Sequence, residues 1–326
     1  MFGKILKLKQ PDLWNKINIK SISLLPFSFL YYLGFSLKRL FVSKTSFKKS
    51  FVVAIGNVTV GGGGKTPTAL WFSEELNKEL NRKYKICCVS KGYHGSLKGP
   101  LLVTKMHSEE EVGDEALLLN EKLPTIISKD KIEGIKFAEE QGFNIIIVDD
   151  AFQTLKLQAD FNILVIDGEF LFGNGFLLPA GPLREPVSSA LKKANMIINI
   201  GGKEKRFGKP QCNAYIQPKT FIYEKAIAFS GIARPKKFFN LLKRSSFRII
   251  KEISFSDHHR YTIEEIENLI LEAKRLNAKL ITTKKDWVRL NNEFKQKIEY
   301  IDTELAITNG DSLISIIKQK IDEKGI

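Results

Sequence analysis

Apolar positions along the chain gather into short, β-branched runs separated by segments of helical spacing. The runs at 51–55, 85–89, 144–148, 161–166, 196–200, 226–229 and 280–283 each read as a buried strand. Between them, apolar side chains recur at helical intervals over 68–80, 116–119, 132–141, 235–242 and 263–276. Strands alternating with helices imply an α/β fold, a mostly parallel sheet with helices on both faces. The stretch 202–219 is polar and basic, with two prolines, and marks a boundary. The expected organisation is an N-terminal helical segment over 1–45, a core over 46–215, and a smaller α/β domain over 216–326 whose last helix is free to pack back on the core. No internal repeat or low-complexity tract interrupts it.

The N-terminal segment differs from the rest. Residues 22–37 carry no charge. They fall short of the roughly 20 residues that a spanning helix requires, and Pro26 and Gly34 weaken a span further. No small-residue cleavage site follows, so a cleaved leader is not expected. Phe27, Phe29, Tyr31, Tyr32 and Phe35 stand beside Lys38, Arg39, Lys44, Lys48 and Lys49. Aromatics next to a basic flank suit a helix lying in a membrane interface, while a helix packed on the domain is the alternative.

Composition narrows the partners. A chain of 326 residues, 43% hydrophobic, is ample for a buried core. The net charge of +15 attracts phosphorylated or anionic partners. The lysines are spread, and beyond the N-terminal segment they do not cluster with aromatics, so a nucleic-acid groove is not expected. The cysteines, Cys87, Cys88 and Cys212, form neither a paired framework nor C-x-x-C, which suggests a reducing compartment and core packing.

Candidate chemistry begins where the first strand ends. Residues 56–68, GNVTVGGGGKTPT, join that strand to a helix. Glycines let the backbone bend and turn its N–H groups towards an anion, and a helix start adds partial positive charge. Strand, glycine loop and helix match a phosphate-binding loop, with Thr59 where the first glycine belongs. Nucleotide is therefore expected on Thr59, Val60, Gly61, Gly62, Gly63, Gly64, Lys65, Thr66 and Pro67. Lys65 would reach the β- and γ-phosphates of ATP, and Thr66 would ligate Mg²⁺. A flexible linker before a helix is the bland reading.

Further motifs stand at strand ends, where ligands of open α/β sheets collect. Lys91-Gly92-Tyr93 follows the second strand. Asp114 and Glu115 open a helix, and capping alone would explain Asp114; Ser108 with Glu111 makes a rival capping box. Asp149 and Asp150 end the strand 144–148, in the position of a magnesium-side acid. Adjacent strand residues point opposite ways, so one of the pair would face metal and the other solvent or substrate. The Gly/Pro-rich stretch 172–186 is a shaped loop carrying Arg184, either a phosphate clamp or a structural ion pair with Glu185 or a nearby acid. His258 and His259 precede the helix at 263; adjacent histidines do not make a metal site alone.

Together these motifs resemble the tetraacyldisaccharide 4′-kinase family of the Gram-negative lipid A pathway. The resemblance rests on GNVTVGGGGKTPT (56–68), KGY (91–93), VGDEALLL (112–119), VDDAFQ (148–153), FGNGFLLPAGPLREP (172–186), FSGIARP (229–235), SDHH (256–259) and TTKKD (282–286). It implies a P-loop kinase core with a smaller C-terminal domain. It implies transfer of the ATP γ-phosphate to the 4′-hydroxyl of a tetraacylated glucosamine disaccharide 1-phosphate, at the cytoplasmic face of the inner membrane and with no obligate protein partner. Lys65, Asp114 and His258 are the expected catalytic residues, an aspartate of the GDE stretch acting with a histidine of the DH stretch once the domains close; His259 is the alternative partner. Thr66, Glu115, Asp149 and Asp150 are expected on the metal, and Asn57, Tyr93, Gln153, Arg184 and Glu185 on the substrate. The chain departs from the family at Lys91 (usually arginine), His94 and Ala151 (usually glycine) and Thr154 (usually histidine). The rival functions are a membrane-associated P-loop ATPase acting as a switch without a lipid acceptor, and a non-catalytic lipid- or nucleic-acid-binding protein.

Overall fold

A computed structural model describes residues 12–80, 83–202, 205–219, 225–245 and 247–326. The first eleven residues of the N-terminal segment thus lie outside the described part. The chain forms two compact units, Asp12–Tyr215 with Leu305–Ile326, and Ile216–Glu304.

The larger unit is built on a nine-stranded sheet. Its strands are β1 (Phe51–Gly56), β2 (Ile86–Ser90), β3 (Leu101–Leu102), β4 (Thr125–Ile127), β5 (Ile145–Val148), β6 (Phe161–Asp167), β7 (Met196–Ile200) and β8 (Gln211–Pro218), with β13 (Thr303–Ile307) at one edge. The order is β13-β8-β7-β6-β1-β5-β2-β4-β3. All the pairings between β4 and β8 are parallel, and β3 is antiparallel on β4. β1 is central, and Phe51 to Gly56 are buried throughout, as a strand covered on both faces must be. Val52 and Ala54 meet Ile132, Ile135 and Ala138 of the helix Lys131–Glu140. The carboxyl ends of β1, β2 and β5 carry the glycine loop, the Lys91-Gly92-Tyr93 turn and the Asp149-Asp150 turn.

The uncharged stretch 22–37 falls within two helices, Ile19–Ser23 and Leu25–Leu40. Pro26 lies in the first turn of the second, where its missing N–H costs nothing. The pattern of this helix is inverted. Ser28 is its buried residue, while Phe27, Phe29, Leu30, Tyr32, Leu33 and Leu37 are exposed, Phe29 at 65%. Among the described residues no helix is long and apolar enough to cross a membrane.

The stretch 202–219, read as a boundary, contains β8. Buried Cys212 and Ala214 alternate there with polar Gln211 and Asn213, so the period of two was masked by amides. The smaller unit also ends at Glu304, and the tail returns to the larger one. Its helix Gly310–Lys324 buries Leu313, Ile314, Ile317 and Ile321. A Cβ at Gly310 would lie 2.5 Å from the Trp71 ring. Lys324 Nζ donates to the carbonyls of Phe47 and Ser50, both at 2.7 Å, and to Asp160 at 2.6 Å.

The smaller unit is a parallel four-stranded sheet of β9 (Lys225–Ser230), β10 (Arg248–Ser254), β11 (Lys279–Thr283) and β12 (Glu299–Ile301), in the order β10-β9-β11-β12. Alternation along β9 splits its core. Ile227 and Phe229 meet Ile266, Leu269 and Ala273 of the helix Ile263–Arg275, and Ala226 and Ala228 meet Phe238, Phe239 and Leu242 of the helix Pro235–Arg244.

Candidate active site

The glycine loop leaves β1 and enters the helix Lys65–Glu79. Gly64, its N-cap, has φ +83°, and a Cβ there would stand 2.4 Å from Ile200, so both conformation and space demand glycine. Gly63 is limited by space alone, for its Cβ would lie 2.5 Å from the Asn57 amide. The loop is laced to the shaped loop 172–186. Val60 N donates to Pro182 O at 2.9 Å, Arg184 N donates to Val58 O at 2.8 Å, and Thr59 bridges Leu183. The Val60 N–H is therefore engaged within the protein and shapes the loop.

Lys65, the first residue of that helix, donates from Nζ to Asn57 Oδ1 at 3.2 Å and lies 3.6 Å from Asp150 Oδ1. The side chains of Asp149 and Asp150 diverge because β5 has already ended at Val148 and Asp150 adopts φ +50°; a left-handed turn, not strand alternation, separates them. Asp150 faces cations. Arg184 Nη1 donates to its two oxygens at 3.0 and 2.9 Å and to Gln153 Oε1 at 3.2 Å. Burial alone would raise the Asp150 pKa, but Lys65, Arg184 and Lys131 outweigh it and hold the carboxyl well below the usual range. Asp149 is the opposite case. It is 3% exposed, and its Oδ1 is buried without a protein partner. Burial, reinforced by the nearby Glu115 charge, pushes its pKa up to about 6.

The remaining candidates divide into exposed and internal groups. Gln153 Nε2 donates to Asn57 O and to Glu185 Oε1, both at 3.0 Å, and Lys193 Nζ donates to the same Glu185 oxygen at 2.8 Å. Glu185 is fully buried, so it braces the loop from within. Arg184 pairs with Asp150 and not with its neighbour Glu185. Tyr93 is exposed. Its turn nests against Gly113, where φ is +86° and a Cβ would lie 2.3 Å from Tyr93 O. This brings Tyr93 beside Asp114 and Glu115. Asp114 does not cap its helix: Gly113 is the N-cap of Asp114–Asn120, and the Ser108–Glu111 capping box starts a separate helix, Glu109–Val112. Asp114 is instead the first helical residue, 1% exposed, with Oδ1 accepting from Glu115 N at 2.9 Å.

In the smaller unit the two histidines have distinct surroundings. His259 stacks on Phe255 with ring centroids 4.8 Å apart, and its Nε2 lies 2.9 Å from Glu265 Oε2, so it is absorbed into the cap of the next helix. His258 has φ +53° and donates its backbone N–H to Gly231 O at 2.9 Å.

Sequence reasoning missed Lys131. Its buried ammonium donates to the carbonyls of Asp149 and Asp150, and burial lowers its pKa. The available signal was a lysine placed directly after Asp130, the cap of the helix Lys131–Glu140. Lys193 was also missed, and Tyr31, expected among the interfacial aromatics, instead donates from Oη to Arg184 O at 2.8 Å.

Among the described residues no group of three His, Cys, Asp or Glu side chains forms a metal cage. Magnesium at a nucleotide needs fewer, since one or two carboxylates, phosphates and water complete its shell. The partnerless buried Asp149 oxygen and the hydroxyl of Thr66 are hard oxygen donors of that kind.

A parallel sheet whose central strand feeds a glycine loop and a lysine-headed helix, with acids at the end of the next strand, defines an α/β enzyme that handles an anionic ligand at the strand carboxyl ends. Comparison gives the family. A profile described as tetraacyldisaccharide-1-P 4′-kinase matches residues 20–322. A tetraacyldisaccharide 4′-kinase of Paramagnetospirillum magneticum is 36% identical, over 91% of this chain and 94% of that one. One of Rickettsia peacockii is 35% identical, over 97% and 100%. The fold is similar to a crystal structure of LpxK from Aquifex aeolicus described as an "apo" form in complex with ATP, with TM-score 0.75, 26% identity, and coverage of 92% of this chain and 99% of that one. The chain belongs to the tetraacyldisaccharide-1-P 4′-kinase family, and it is a kinase.

Proposed function

We propose that this kinase transfers the γ-phosphate of ATP to the 4′-hydroxyl of a tetraacyldisaccharide 1-phosphate, the reaction named for its relatives. The observation that carries the reading is Lys65 at the head of a helix, its ammonium held between Asn57 and Asp150 behind a loop whose Gly64 has neither the conformation nor the space for a side chain. ATP lies on residues 59–67, where loop N–H groups other than that of Val60 and the helix start receive its phosphates. Lys65 follows the γ-phosphoryl into the transition state. Thr66 and Asp149 would hold Mg²⁺, with Glu115 supporting Asp149; the ion would supply positive charge to neutralise the phosphates. Asp150 keeps Lys65 and Arg184 in place. Arg184 presents a guanidinium fork to phosphate, and Tyr93 contributes to the acceptor side.

Asp114 is the base. Its carboxylate, oriented by the Glu115 N–H, takes the proton of the 4′-hydroxyl as the bond to phosphorus forms. A sugar hydroxyl has a high pKa, so the base chiefly orients the nucleophile and accepts the proton late. The histidine we propose to act with it in turnover is His258. His259 is the poorer choice because Phe255 and Glu265 already claim its ring. Asp114→Ala and His258→Ala should each lower kcat on the order of a hundredfold, with ATP binding little changed. The double variant should be scarcely worse than the worse single one. Fully multiplicative losses would refute the dyad.

The helix Leu25–Leu40 lies in the membrane interface, at the cytoplasmic face of the inner membrane. The inverted pattern supports this, since Phe27, Phe29, Leu30 and Leu33 face outward and Lys38 and Arg39 follow. The deciding assay for the whole reading is purified protein with ATP, magnesium and the disaccharide 1-phosphate, followed by mass spectrometry of the lipid. A lipid heavier by one phosphoryl group is expected. ATP hydrolysis without a phosphorylated lipid would favour the switch ATPase.

A further inference from the structure

The smaller unit contains a fully buried ion pair that does more than hold its core. Asp286 lies in the helix Lys284–Val288 and is 0% exposed; Arg289, one turn on, has a side chain only 2% exposed. The Asp286 carboxylate accepts from Ser230 Oγ at 2.9 Å, Gly231 N at 3.0 Å, Thr283 Oγ1 at 2.6 Å, Tyr261 Oη at 2.8 Å and Arg289 Nη1 at 3.1 Å. Five donors on one carboxylate fix its orientation, and through it the orientation of the guanidinium. Arg289 Nη1 also donates to Gly231 O at 3.2 Å, the same carbonyl that receives the backbone N–H of His258. Arg289 Nη2 then stands 3.4 Å from Nδ1 of the His258 ring.

A guanidinium carries five donors, accepts nothing and does not lose its proton. A ring nitrogen beside it must therefore offer a lone pair. We propose that Arg289, clamped by Asp286, is a positioning residue that fixes His258 as the tautomer with a bare Nδ1 and its proton on Nε2. The backbone agrees, for His258 is held in a left-handed conformation that a bulky residue adopts only when its surroundings impose it. In this state the ring acts by donating from Nε2, as an imidazole that orients a carboxylate does, and not by collecting a proton at Nδ1. This rests on the role given to His258 above and specifies how the ring performs it.

The test is a long-range ¹H–¹⁵N correlation spectrum of the ring nitrogens in the full-length protein, without metal or nucleotide. The chain has four histidines, and His258→Gln assigns the relevant pair by its loss. The wild type should show His258 with a protonated Nε2 and a bare Nδ1. Arg289→Met should give averaged nitrogens, and Arg289→Lys, which keeps a donor, should restore the wild-type pattern. A proton on Nδ1 in the wild type, or an unchanged spectrum in Arg289→Met, overturns the proposal. If Arg289→Met does not fold, the wild-type spectrum and Arg289→Lys still decide. Kinetics separate this from the catalytic reading. Arg289→Met should lower kcat on the order of tenfold at constant KM for ATP, with Arg289→Lys recovering most of it. A His258→Ala protein with normal kcat would remove the catalytic role while leaving the tautomer result standing.

Discussion

Lys65 should be the most costly single residue to lose. Lys65→Ala removes the charge proposed to follow the γ-phosphoryl group, and kcat/KM should fall on the order of a hundredfold or more with the fold intact. Steady-state rates beside a circular dichroism spectrum check this; near-normal turnover would overturn the phosphate-loop assignment. Asp149 makes a different kind of test. An unfolded aspartate titrates near ~3.9, while the folded group is raised to about 6, so the folded state holds its proton more tightly. That contribution to stability is fully present below about pH 4 and disappears as pH rises through about 6. Metal-free Asp149→Asn should therefore be more stable than wild type near pH 8, by on the order of 1–3 kcal/mol, and the two should converge near pH 4. Tm in the presence of chelator across that range is the measurement. Lys131→Met leaves two buried carbonyls without their donor and should cost about 1–3 kcal/mol. It should also lower kcat, because the turn that carries Asp150 loses its support; unchanged kcat would make Lys131 purely structural.

Among the elements, the helix Leu25–Leu40 has a face turned to the protein and a face turned away from it, and the roles proposed for the two can be tested apart. Ser28 Oγ donates to Leu177 O at 2.8 Å and accepts from Ala180 N at 3.1 Å, while Phe29 and Leu33 point away from the protein. Phe29→Glu with Leu33→Glu should release the enzyme from sedimented membranes and leave its melting temperature close to wild type. Ser28→Ala should do the reverse, keeping the membrane association and costing about 1 kcal/mol or more. A double glutamate variant that still sediments would discard the interfacial role. The elements differ in how far the sequence announced them. β1, the glycine loop and the helix after it were legible, because a buried β-branched run followed by glycines has few other uses. β5 with its two acids was legible for the same reason. β8 was not, since Gln211 and Asn213 hid the alternation of Cys212 and Ala214. Nor was the placement of Lys131, whose partners are backbone carbonyls that leave no mark on residue type. The Asp149–Asp150 pair was found, but its geometry was misread because nothing in the letters shows the left-handed turn that Asp150 makes beyond the strand's end at Val148. Arg184 was recognised as a charged group on a rigid loop; that it pairs with Asp150 instead of Glu185 depends on the left-handed turn.

For the whole molecule, the return of the tail to the larger unit has a direct consequence. Deleting Leu305–Ile326 removes a helix that buries Leu313, Ile314, Ile317 and Ile321, together with the Lys324 bonds to Phe47, Ser50 and Asp160. Each buried aliphatic is worth roughly 2–5 kcal/mol when lost from a core, so the shortened chain should not accumulate as folded protein. Soluble, ATP-binding protein from the shortened chain would contradict this. A further consequence concerns pharmacology. The N-terminal helix reaches the shaped loop twice, Ser28 bonding Leu177 and Ala180 and Tyr31 bonding the Arg184 backbone, and the Arg184 side chain leads on to Asp150 beside Lys65. A compound wedged between Ser28 and Ala180 would disturb that relay without touching the glycine loop. Its inhibition should persist at saturating ATP, lowering kcat while KM for ATP holds, so millimolar nucleotide in a living cell could not outcompete it.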